Sequence, residues 1–284
     1  MSTKKQKDYA APWSLIADGW KMFTPPWRPA KENINYYEKI LKRTIKDAKN
    51  PKVLILGATP EIRDILAKYR NIEVVISDYN MEMILAMNEL VVRKNFKNEK
   101  WFKTSWVDMP LEKEYFDIIF GDYVISQLPK NLTSKFLSQI RSLLKSNGRF
   151  ITRTIFYNPE FAQSFDDLME KFKRLKLNNQ SVSDLAAYMC FEKKSCIKRN
   201  EIFAFQLPLL KKLRDAYVKK NGKNPWIAGL DRVFSPYTKE WFYYDLKDTE
   251  KNITKFFNIE EKENEPETSS LRDVTFTYTL SSKK

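Results

Sequence analysis

The 284-residue sequence contains no histidine. No Ser–His or Cys–His nucleophile pair can exist in it, so the usual hydrolase triads are excluded. Any acid–base chemistry falls to Asp, Glu, Lys, Tyr or Cys. Cysteine is nearly absent too, with Cys190 and Cys196 alone. Two thiols without a histidine do not complete a zinc site, and they read as reduced thiols of a cytoplasmic protein. Long apolar runs are missing and the mean hydropathy is -0.54, which excludes a membrane span. Met1 to Ala11 is Lys-rich but lacks the apolar stretch of a signal peptide.

What the chain does have is enough apolar material, 43% of residues, for one large domain or a domain plus a cap. Val53-Leu54-Ile55-Leu56 reads as a strand buried on both faces, and it ends at Gly57. A helix start follows. Thr59 suits the N-cap, Pro60 the first helical position, and Glu61 the positive end of the helix dipole. Ile62, Ile65, Leu66 and Tyr69 then recur at helical spacing. Strand, tight glycine turn and helix form the opening unit of a nucleotide-binding α/β sheet, and Gly57 lets the backbone approach a ligand closely. A second strand, Ile72 to Ser77, ends in Asp78-Tyr79-Asn80. An acid there, about 20 residues after the glycine turn, can take both hydroxyls of a ribose.

With these residues the chain resembles class I S-adenosylmethionine-dependent methyltransferases. The first motif is Leu56-Gly57-Ala58-Thr59-Pro60-Glu61 and the ribose acid is Asp78. Trp106-Val107-Asp108-Met109-Pro110 follows the third strand, Phe116 to Asp122 is the fourth, and Ser146-Asn147-Gly148-Arg149-Phe150 turns into a fifth. The likeness covers residues 35–157 well. It departs at the first motif, where Gly57 stands alone with Thr59 and Glu61 at the later glycine positions. That weakens a dinucleotide reading and fits S-adenosyl-L-methionine, which has no phosphate. Glu61 then either faces the cofactor's cationic amino end or serves only the helix dipole. The resemblance implies a Rossmann-like, doubly wound, seven-stranded, mostly parallel α/β sheet with an antiparallel C-terminal strand. It implies an adenine site at Asp108 and Met109, with Met83 as a further neighbour. Tyr79 is placed with Asp78.

Around this core the sequence predicts a helix over 31–49, helices over 81–94 and 131–146, and two closing strands, 252–260 and 271–281. Asp273 to Leu280 alternates as an antiparallel edge strand should. The expected division is an N-terminal arm (1–34), a cofactor core (35–157), a helical and aromatic cap insertion (158–248) and C-terminal strands (249–284). Helical patterns in the cap run over 159–176, 181–194 and 198–220. The arm is rich in Trp and Pro, too apolar for a free tail. It is read as a lid, with Trp13, Trp20 and Trp27 as walls and Arg28 reaching the cofactor's carboxylate. Ligands of such sheets bind beyond the strands' carboxyl ends, which is where Gly121, Asp122 and Tyr123 fall. Asp122 is expected to orient or deprotonate an acceptor, and Tyr123 to wall the transfer site.

The reading favoured is methyl transfer to a small-molecule acceptor. The net charge of +14 concentrates in residues 168–224, where 14 Lys and Arg meet 5 Asp and Glu. An RNA acceptor is the alternative this permits, although charge runs are more often solvated surface. A non-catalytic binding or scaffold protein on the same fold is the third.

Overall fold

The computed structural model describes residues 20–94, 97–199, 202–235, 237 and 239–283. Trp13 lies outside them. The strands, in chain order, are β1 (Lys52–Leu56), β2 (Glu73–Asp78), β3 (Glu99–Lys103), β4 (Phe116–Asp122), β5 (Leu144–Ile155), β6 (Cys196–Arg199), β7 (Ile202–Gln206), β8 (Glu240–Tyr243), β9 (Phe257–Asn264) and β10 (Thr275–Ser282). Seven form one sheet in the order β3-β2-β1-β4-β5-β10-β9. Only β10 runs against its neighbours. This is the doubly wound, mostly parallel sheet the sequence predicts. The chain works outward from β1 to β3 and then returns to β4 on the other side of β1. The carboxyl ends of β1 and β4 therefore flank the switch point, where such sheets bind ligands.

Strand β1 shows why the sequence folds this way. Successive side chains point to opposite faces, and both faces are covered. Val53 and Ile55 pack with Tyr37, Ile40 and Leu41 of helix α1 (Lys31–Ile45) and with Ile62 and Ile65 of α2 (Pro60–Leu66). Met83, Ile84 and Met87 of α3 (Met81–Asn88) join the same layer. Leu54 and Leu56 face Phe136, Leu137 and Ile140 of α4 (Lys130–Leu143).

After Ile155 the chain leaves the sheet and builds a cap from α5 (Phe165–Lys173), α6 (Asn179–Met189), the antiparallel β6–β7–β8 sheet, α7 (Leu207–Asn221) and α8 (Pro225–Phe234). It returns at Tyr244, which bridges to Phe156 beside the end of β5, and runs through α9 (Leu246–Ile253) into β9.

Three expectations need correcting. Residues 198–199 and 202–206 are strand, not the start of a helix, because Ile197, Phe203 and Phe205 suit a pleated surface; β6 pairs with β7, and β7 with β8. Strand β10 is not at the edge. Its Thr275, Thr277 and Thr279 alternate with Phe276, Tyr278 and Leu280 like an edge strand, yet β9 covers it and those threonines are buried. The helix expected over 81–94 stops at Asn88.

Candidate functional site

A cavity of about 700 Å³ opens at the carboxyl ends of β1, β2 and β4. Its core-side wall contains Gly57, Ala58, Thr59, Glu61, Asp78, Tyr79, Met83 and Asp108. Asp122 and Tyr123 line it at the end of β4, and Trp27 and Arg28 line it from the arm. Twelve of the fourteen expected site residues thus share one cavity, with Met109 and Gly121 outside it. Met109 is buried in the α4 layer and accepts a hydrogen bond from Ser77 Oγ at its sulfur, 3.4 Å away. Gly121 lies within β4, where an added Cβ would meet Val124 at 2.7 Å, so this glycine serves packing.

Gly57 has φ +84, the left-handed region that glycine enters without strain, and its N–H donates to Ser77 O at 2.9 Å. A Cβ built there would sit 3.9 Å from Asp78 Oδ2. The bare turn thus lies beside the acid of the second strand. Asn80 N–H donates to Asp78 Oδ1 at 2.7 Å. Burial pushes the Asp78 carboxyl up to about 6, against the pull of the Asn80 amide and of the Lys239 ammonium. Lys239 comes from the cap, just before β8, and is itself buried; that burial pushes it down to about 7.

Thr59 occupies the N-cap position of α2 but makes no side-chain cap bond. Glu61, in the first turn, is paired with Arg28 of the arm at 2.6 Å. Its other oxygen, Oε2, is buried without a partner. Burial raises the Glu61 carboxyl, and Arg28 opposes that rise. Arg28 therefore does reach the cavity as expected, and its partner among the described residues is Glu61.

The arm closes one side of the cavity with Trp20, Phe23 and Trp27. Gln180 Nε2 donates to Pro25 O at 2.7 Å, Tyr123 Oη to Pro26 O at 3.2 Å, and Trp27 Nε1 to Ser183 O at 3.1 Å. The Trp27 ring packs on Phe23, Phe234 and Trp241 at centroid distances of 5.8, 6.4 and 6.0 Å.

Asp122 is fully engaged. Arg153 Nε donates to Oδ1 at 2.7 Å and Nη2 to Oδ2 at 3.0 Å, and Tyr37 Oη donates to Oδ1 at 3.3 Å. An acid held this way orients its surroundings and is badly placed to collect a proton from an acceptor. Tyr123 has φ +56, unusual for a bulky residue, and the Arg153 guanidinium stands 4.2 Å from its ring centroid. Burial raises the Tyr123 phenol.

Sequence reasoning missed Arg153 and Glu265, which support Asp122, and Val233 of the cap; Phe234, Trp241 and Tyr243, whose crowding in the sequence already reads as an aromatic acceptor pocket, complete the wall. It also missed Gln127, whose buried Oε1 has no partner, and Lys135 on the exposed side of α4. Nothing local marks Glu265.

No curated protein matches the chain in sequence. Among solved structures, the N-methyltransferase NodS from Bradyrhizobium japonicum, in complex with S-adenosyl-L-homocysteine, is 10% identical with a TM-score of 0.54, over 98% of this chain and 100% of that one. The 1,6-didemethyltoxoflavin-N1-methyltransferase of Burkholderia thailandensis, with bound 1,6-didemethyltoxoflavin and S-adenosylhomocysteine, is 9% identical with a TM-score of 0.53, over 100% and 94%. A Rhodobacter sphaeroides protein provisionally labelled a Zn-dependent alcohol dehydrogenase is 14% identical with a TM-score of 0.56, over 94% and 98%. At such identities the likeness is one of fold. In sequence, a family profile described as a methyltransferase domain spans residues 57–227, more than half of the chain, and the chain belongs to that family.

Proposed function

We propose that the protein transfers the methyl group of S-adenosylmethionine to a small-molecule acceptor by in-line displacement. The observation that carries this reading is the single cavity. It joins the Gly57–Glu61 turn and Asp78 to an aromatic wall built by the arm and cap.

The residues present fit the cofactor. Asp78 offers carboxylate oxygens to ribose hydroxyls beside a glycine that leaves the space clear. The buried, unpartnered Oε2 of Glu61 and the Arg28 guanidinium offer opposite charges to an amino-acid zwitterion. Asp108 can accept from an exocyclic amine, and Tyr79 and Met83 supply apolar walls for a base. Neither a second glycine nor a basic cluster stands at the turn for a pyrophosphate, which favours this ligand over a dinucleotide.

Bound S-adenosylmethionine supplies a methyl group already activated by its sulfonium. The protein's own contribution is alignment and exclusion of water. Trp20, Phe23 and Trp27 cover the cavity from the arm, and Trp241 and Phe234 from the cap. Asp122, fixed by Arg153, holds the end of β4, and Tyr123 presents its ring beside it.

Calorimetric titration with S-adenosylmethionine, and separately with NAD, tests the proposal. Micromolar binding of the first alone is expected, and Asp78→Ala should abolish it. Binding of neither, or an unchanged affinity in Asp78→Ala, would overturn the assignment.

A further inference from the structure

Resting on that reading, we infer that the acceptor is a neutral, flat heteroaromatic molecule and that a pyridine-type ring nitrogen takes the methyl group. Two observations converge. First, the arm and cap wall is one apolar cluster. Phe23, Phe234, Trp241 and Tyr243 belong to it, with Trp27 and Tyr123 packed against it. Among the described residues, no Asp, Glu, Lys or Arg of the cap lines the cavity, and the arm's Arg28 is paired with Glu61 on the cofactor side. Such a wall suits a planar apolar body, through ring–ring contact and burial, and penalises a charged one.

Second, the cavity offers the acceptor no base. The chain has no histidine. Both oxygens of Asp122 accept from Arg153, and Glu61 is paired with Arg28 through one oxygen while its Oε2 serves the cofactor's ammonium on the proposed reading. The Tyr123 and Tyr243 phenols are raised by burial. Asp78 belongs to the cofactor side, next to Gly57, and Asp108 and Lys135, which also line the cavity, are exposed. Lys239 lies 5.6 Å from the Trp241 ring centroid and does not line the cavity.

An acceptor must therefore arrive with its lone pair already free. Phenols lose their proton near pH 10 and alkylamines hold one to about 10.4, so either would need a base at neutral pH. An imidazole-like ring nitrogen titrates near 6.5 and is neutral above that. In the transfer, the ring nitrogen's lone pair forms the new N–C bond while the C–S bond breaks and its electron pair goes to sulfur. The positive charge passes from sulfur to the methylated ring, and no proton moves.

The test uses three bicyclic probes of similar size: isoquinoline, tetrahydroisoquinoline and naphthol. Full-length protein saturated with S-adenosylhomocysteine is titrated calorimetrically with each, and methyl transfer from labelled S-adenosylmethionine is then followed from about pH 6 to about pH 9. Isoquinoline should bind at least about tenfold more tightly than the protonated amine and accept the label, and Trp241→Leu should weaken its binding about tenfold. The rate should level off once the ring nitrogen is unprotonated. Transfer to naphthol or to the amine, equal binding of isoquinoline and amine, or no transfer to isoquinoline by protein that binds S-adenosylmethionine would each overturn the inference. Cofactor affinity, read in separate titrations, reports independently on the underlying assignment.

Discussion

Arg153 and Asp122 stand opposite each other in the register of β5 and β4, and the guanidinium closes on the carboxylate through two hydrogen bonds of 2.7 and 3.0 Å. The remaining guanidinium nitrogen, Nη1, donates to Glu265 at 3.3 Å, and Asn33 of α1 donates to the same carboxylate at 3.1 Å. Arg153 and Glu265 are fully buried. One cation thus serves two carboxylates and backs the Tyr123 ring at the cavity. Arg153→Met would leave two buried acids without their counter-charge. We expect a loss of about 3–5 kcal/mol in urea unfolding. Arg153→Lys keeps the charge but not the fork, and should cost less.

Asp122→Asn separates orientation from proton transfer. The amide keeps the shape and loses the charge-assisted pairing with Arg153. Misalignment at the end of β4 should lower kcat by about 10- to 100-fold. The pH profile should keep its shape, because both Asp122 oxygens are held by Arg153 and are badly placed to take a proton. Loss of one limb of that profile would restore the proton-transfer role the sequence suggested.

Cofactor affinity should depend on Asp78 in acid. On the proposed reading, ribose hydroxyls donate to the ionised carboxylate, whose titration burial has moved up to about 6. Affinity should be level well above that pH and fall about tenfold per unit below it, as protons compete for the same oxygens. Calorimetry across the range measures this, and Asp78→Asn should bind weakly at every pH. Lys239 opposes the rise in Asp78. Lys239→Met should therefore move the midpoint to higher pH, and a midpoint that stays or falls would contradict the coupling. The sign for folding is opposite to that for binding. An acid whose folded value is raised costs stability once ionised, and that cost fades as pH falls through about 6 towards the ordinary carboxylate range.

The parts legible in the sequence are those set by local backbone. Gly57 and Asp78 announce themselves because a strand, a turn and a helix dictate both positions within one short stretch. Arg153 and Glu265 could not be read, since they meet across 112 positions and a lone arginine in a strand looks like a surface residue. Strand β7 was misread as helix because residues 203–206 gain their pattern from pairing with β8, far along the chain. Met109 and Gly121 match the family motif in sequence but do not line the cavity, the Met109 side chain being buried in the core. The arm is the instructive case. Its Trp and Pro content predicted a cover over the ligand edge, and Trp20, Phe23 and Trp27 do line the cavity.

A control for stability alone lies away from the cavity. Arg63 of α2 grips Glu99 of β3 with bonds of 2.9 and 2.7 Å, and its side chain is fully buried. Arg63→Met strands the acid in the sheet edge, so unfolding free energy should fall by about 3–5 kcal/mol. The variant that remains folded should bind S-adenosylmethionine as before. A large loss of affinity without loss of stability would mean that α2 transmits more to the Gly57 turn than its packing suggests.

Arg28→Gln probes the charge pair at the start of α2. Without the guanidinium, Glu61 keeps one unpartnered oxygen and loses the partner of the other. Burial already raises its carboxyl, so removing Arg28 should raise it further. Two losses then reach the cofactor together. Its carboxylate loses a cation, and its ammonium faces an acid that protonates more readily. S-adenosylmethionine affinity should drop about 10- to 100-fold, in keeping with removal of one charge-assisted hydrogen bond. Adenosine carries neither charged group, so its affinity should hardly change. Equal weakening of both ligands would place Arg28 in closure of the arm rather than in recognition of the zwitterion, and Glu61→Gln should then leave the affinity for S-adenosylmethionine intact.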